Sequence, residues 1–114
     1  MTISYPELLH AVLDIGEAMQ NSGAEVSRVE DSINRMCYAY GVRRVNSFTI
    51  TSNTVVTLEL ADGSVVTETR RVHPGTADFA RLDRLNDLSR YVCTHRPPVG
   101  EIRARYRAIA AQPP

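Results

Sequence analysis

The chain has 114 residues and balances thirteen basic against thirteen acidic side chains, for no formal net charge. That length fits one domain with a single core that needs no disulfide or metal staple. Without a net positive field there is no electrostatic footprint for nucleic acid, which is excluded as a partner.

A first helix is expected from Pro6, tolerated in a first turn, to about Ser22. Leu8, Val12, Ile15 and Met19 recur at helical spacing, and Leu9, Leu13 and Gly16 widen the stripe. Gly23 is placed to turn left-handed past the helix end. A second helix, roughly Glu25 to Tyr40, gathers Val26, Val29, Ile33, Met36, Cys37 and Tyr40 on one face, and Gly41 stops it. Together they make an antiparallel hairpin.

From Arg43 to Val72 the period changes from helical to alternating, in a stretch rich in Val, Thr and Ile. Ser52-Asn53 and Asp62-Gly63 are turn signals, so three antiparallel strands in a meander are expected. The threonine-rich face should meet solvent and the Val/Leu/Ile face should meet helices. After His73-Pro74-Gly75, Asp78 or Thr76 can cap a third helix to about Thr94, with Phe79, Leu82, Leu85, Leu88 and Val92 as its apolar arc. Asn86 and Ser89 fall in that arc and are expected half-buried or buried, bonded to backbone. A fourth helix follows Pro97-Pro98. The fold class is α+β, in the order ααβββαα and two layers, as a single domain over residues 1–114.

The stretch Asn21 to Glu30, NSGAEVSRVE, carries the most unusual charge pattern. If Gly23 folds the chain back, the end of the first helix and the start of the second converge. Glu17, Glu25, Arg28 and Glu30 are then expected near one corner, and Arg28 can pair with Glu25 at i,i+3 spacing. Two readings stand side by side: a solvated salt-bridge cluster pinning the turn, or a small polar site for a zwitterion or an interface partner. Asn86 joins these four as a candidate binding residue.

Catalytic patterns are weaker. His10, His73 and His95 are scattered, and neither a Gly-x-Ser-x-Gly elbow nor a phosphate-cradling glycine loop is present. Cys93 and His95 offer two zinc ligands where a closed site needs about four, so no metal is expected. Cys37 and Cys93 lie in or beside apolar stripes and read as reduced, structural thiols. No cofactor is implied, and the chain is expected not to be an enzyme; a weak hydrolase using Glu25 or Glu30 is the alternative. No basic-then-apolar leader opens the sequence, and no run of about 18 apolar residues crosses a bilayer. A soluble chain is expected.

Leu13-Asp14-Ile15-Gly16-Glu17-Ala18-Met19, then Ser22-Gly23-Ala24-Glu25, then Arg28-Val29-Glu30-Asp31 resembles the N-terminal soluble domain of the threonine/serine exporter family. The likeness continues through Thr69-Arg70-Arg71-Val72, Leu85-Asn86-Asp87-Leu88-Ser89-Arg90, and a last helix with Ala104, Tyr106 and Ile109. The resemblance implies an ion-gradient-driven membrane exporter of small amino acids, with this domain ahead of transmembrane helices on the cytoplasmic side of the bacterial inner membrane. Such a domain has a regulatory, gating or assembly role. Its partners are its own transmembrane domain or a membrane partner subunit, with a small amino acid (threonine or serine) and a second copy of the chain also possible. The membrane part is missing here, so an excised domain is expected, with a free-standing small-molecule-binding module as the other possibility. Transport itself, which belongs to membrane helices, is not carried over.

Overall fold

The computed structural model describes residues 3–113. Its elements follow the expected order: α1 Tyr5–Asn21, α2 Val26–Ala39, β1 Arg44–Ile50, β2 Asn53–Glu59, β3 Val65–Arg71, α3 Phe79–His95 and α4 Val99–Ala110. Pro6 sits in the first turn of α1, where its missing N–H costs nothing. Gly23, with φ +111°, lets the chain reverse: the Gly23 N–H donates to the Gln20 carbonyl (3.2 Å) and the Ala24 N–H to that of Met19 (3.0 Å). The Asp78 side chain caps α3 by accepting from the Arg81 N–H at 3.0 Å.

The strands form one antiparallel sheet in the order β1-β2-β3. Asn53 is the first residue of β2 and pairs with Ile50, so the first hairpin turns at Thr51-Ser52 rather than Ser52-Asn53. Asp62-Gly63 makes the second turn as expected, with the Asp62 carboxylate accepting from the Ser64 N–H (2.9 Å) and hydroxyl (2.6 Å). The sheet packs against α1 and α2, and α3 and α4 pack behind them, so the helical layer is two deep. The core joins Leu8, Val12, Ile15 and Met19 of α1 to Ile33 and Met36 of α2, Val56 and Leu58 of β2, Leu85 and Val92 of α3, and Ile102 of α4. Gly16 lets α2 come close, since a Cβ there would stand 2.9 Å from the Ile33 Cδ1.

Two expectations about faces are corrected. The outer face of the sheet does carry Thr57, Thr67 and Thr69, but it also exposes Phe48, Ile50 and Val65, while Thr49 and Thr54 turn inward and are buried. Phe79 is 69% exposed rather than part of the α3 arc, because it lies in the first turn, before the helix reaches the core.

Candidate functional site

The expected corner does not assemble as one cluster; strands draw two of its carboxylates away. Glu17 faces β3, where Arg70 is the hub of a charge network. Its Nη1 donates to Asp14 Oδ1 (2.9 Å) and Glu17 Oε1 (3.0 Å), and its Nη2 donates to Glu68 Oε2 (2.9 Å). His10 completes the set, its Nδ1 lying 3.1 Å from that Glu68 oxygen and 3.3 Å from the Arg70 Nη2. Burial lowers the Arg70 pKa, but the bonds to Glu68, Glu17 and Asp14 outweigh it and hold the guanidinium above the usual arginine range. Glu17 is therefore committed to tying α1 to β3.

Glu30 is committed to β1. Its Oε2 accepts from the Thr49 N–H at 2.6 Å. Four residues further along α2, Asn34 Oδ1 accepts from the Ser47 hydroxyl at 2.8 Å, and after four more the Tyr38 Oη accepts from the Val45 N–H at 3.1 Å. The match is metric: four helical residues rise about 6 Å and two strand residues advance about 6.8 Å, so one line of side chains keeps step with the strand. Glu30 and Tyr38 thus occupy two backbone N–H groups on the free edge of β1, and Asn34 holds the Ser47 side chain between them. Sequence reasoning named Glu30 but missed Asn34 and Tyr38; the four-residue polar spacing was visible, but its strand partner was not.

Glu25, Arg28 and Asn86 do come together. With Asp83 and Leu82 they line a recess of about 330 Å³ between the start of α2 and the start of α3. Arg28 and Asn86 also line the larger groove beside it, of about 990 Å³, where α2 and α3 run past each other. Glu25 stands at the N-terminal boundary of α2 but makes no capping bond with its side chain. Nor does it form the ion pair with Arg28 that their spacing suggested, and Arg28 has no ion-pair partner among the described residues. Two other arginines of the groove are engaged, Arg35 with Asp31 at 3.0 Å and Arg90 with Asp87.

Asn86 is half-buried and Ser89 is 7% exposed, in line with the expected burial. Both line the groove instead of closing on a backbone partner, and Ser27, Ser32 and Thr94 add hydroxyl-bearing walls. Cys93 also lies there, and burial pushes its thiol pKa up. Cys37 is buried and pushed up to about 12, mainly by desolvation. His95 stacks on Tyr91 with centroids 4.4 Å apart. Chemically, the recess offers one uncommitted guanidinium, two carboxylates and one amide.

Among the described residues no helix is long and apolar enough to cross a membrane. No curated protein and no solved structure gives a significant match to the chain. The family model described as threonine/serine exporter (ThrE), by contrast, matches residues 10–114, which takes in the Arg70 hub, the covered β1 edge and the α2–α3 recess. The chain belongs to the threonine/serine exporter family.

Proposed function

We propose that this chain is a non-catalytic regulatory domain of a small-amino-acid exporter, held at the cytoplasmic side of the membrane and acting by contact at the α2–α3 cleft. The observation that carries this reading is the state of Arg28. Of the three arginines that line the α2–α3 groove, Arg35 and Arg90 are each paired with a carboxylate of α2 or α3, whereas Arg28 has no ion-pair partner among the described residues and also lines the recess with Glu25, Asp83 and Asn86. An exposed, unpaired guanidinium at the mouth of this recess gives the fold little stability and is available to something outside it. Membership in the exporter family supplies the context, with a membrane-spanning part as the structure regulated and threonine or serine as the molecule moved.

The test is to measure folding and export on the same variants. Arg28→Ala is expected to leave the melting temperature of the domain unchanged while export by the complete transporter falls. Export that stays normal with Arg28 and Asn86 both replaced by alanine would remove the cleft from the functional account.

A further inference from the structure

We infer that the α2–α3 recess is a sensing site for a free, zwitterionic amino acid with a small polar side chain, distinct from any path through the membrane. This rests on the regulatory reading above and names what the regulator detects. The groups of the recess divide by charge. Arg28 supplies the one guanidinium, which takes a carboxylate through paired N–H bonds. Glu25, at the N-cap of α2, and Asp83, on α3, line the same recess and supply negative charge that matches an ammonium group. Asn86 is half-buried at the junction with the larger groove and presents both a donor and an acceptor to a side-chain hydroxyl.

The same chemistry excludes other occupants. A phosphate dianion meets one guanidinium and two carboxylates in the same recess, and the net negative charge repels it. A volume of about 330 Å³ is at the small end of ligand pockets, suited to a molecule of few heavy atoms.

The experiment is a calorimetric titration of the 114-residue chain with L-threonine and L-serine. L-threonine amide, which lacks the carboxylate, and N-acetyl-L-threonine, which lacks the ammonium, serve as comparison ligands. Threonine and serine are expected to bind and both comparison ligands to fail. Arg28→Ala and Asp83→Asn are each expected to weaken binding about tenfold or more, as loss of a charge-assisted bond does, with the circular dichroism spectrum unchanged. Absence of heat with threonine and serine, or equal binding of the amide, overturns the proposal. These results separate it from the regulatory reading. If Arg28→Ala abolishes export in a folded chain that binds no amino acid, contact regulation stands and sensing falls. If amino acids bind but Arg28→Ala leaves export intact, the site is real and the regulatory reading falls.

Discussion

Arg70 shows how one side chain can fix the relation of two elements. Its side chain is 16% exposed and answers Asp14 and Glu17 on α1 as well as Glu68 on its own strand. Replacing it with methionine keeps the apolar stem and leaves three carboxylates facing one another. The expected loss is about 2–4 kcal/mol, below that of a fully buried pair because water still reaches the cluster; urea unfolding measures it. Because the folded pKa of Arg70 is raised, its contribution is complete at every pH below the usual arginine range and is lost only as pH rises through the folded value. The difference between wild type and Arg70→Met should therefore not shrink between about pH 7 and pH 9, well below where arginine titrates. A second residue-scale expectation concerns Gly23. At φ +111°, a methyl group added there would meet only ordinary contacts, the nearest at 3.5 Å, so an alanine suffers backbone strain and no clash. Gly23→Ala should cost roughly 1–2 kcal/mol in a thermal melt.

At the scale of elements, two contacts make distinct predictions. The first is the line Glu30, Asn34 and Tyr38 along the edge of β1. Glu30→Ala leaves the Thr49 N–H without its charged acceptor, for an expected loss of about 1–3 kcal/mol. Combined with Tyr38→Phe it bares the edge, so light scattering on warming should rise earlier than the lost stability alone explains. The second is the clamp between α3 and α4. Tyr91 donates to Glu101 Oε2 at 2.6 Å, and Arg105 donates to the same oxygen at 2.9 Å while lying 3.9 Å above the Tyr91 ring. The Tyr91 bond, then that of Arg105, lowers the Glu101 pKa. A lowered carboxylate pKa contributes stability above its unfolded value, and that stability is lost as pH falls through the folded one. Tyr91→Phe should therefore lower the melting temperature slightly at neutral pH and bring no further loss in acid, so that the acid limb of the melting-temperature profile flattens.

For the molecule as a whole, the order of elements was legible because each change of period is local. Leu8, Val12, Ile15 and Met19 announce α1 within four turns, and the alternation in Val55 to Leu60 announces β2 without reference to the rest of the chain. The site was only partly legible, for the opposite reason. Glu17 meets Arg70 across 53 positions and Glu30 meets Thr49 across 19, and both pairings depend on how the sheet lies against the hairpin. Sequence proximity at the Gly23 turn pointed to a four-residue cluster, and tertiary packing removed two of its members. Arg28, Glu25 and Asn86 kept their place because their cleft is formed by helix starts whose positions the Gly23 turn and the Asp78 cap already fix.

The two edges of the sheet differ in a way that limits assembly. The order β1-β2-β3 leaves only two outer strands, and the side chains of α2 already occupy the outer N–H groups of β1 at Val45 and Thr49. No side chain covers β3 in this way among the described residues. A chain that extends the sheet therefore meets fewer occupied backbone groups at β3 than at β1. Should two copies meet there, strand to strand, each end of the merged sheet would be a β1 whose N–H groups at Val45 and Thr49 are already occupied. Further growth by strand addition would first have to displace Glu30 and Tyr38, so the second helix works against fibre formation at that edge.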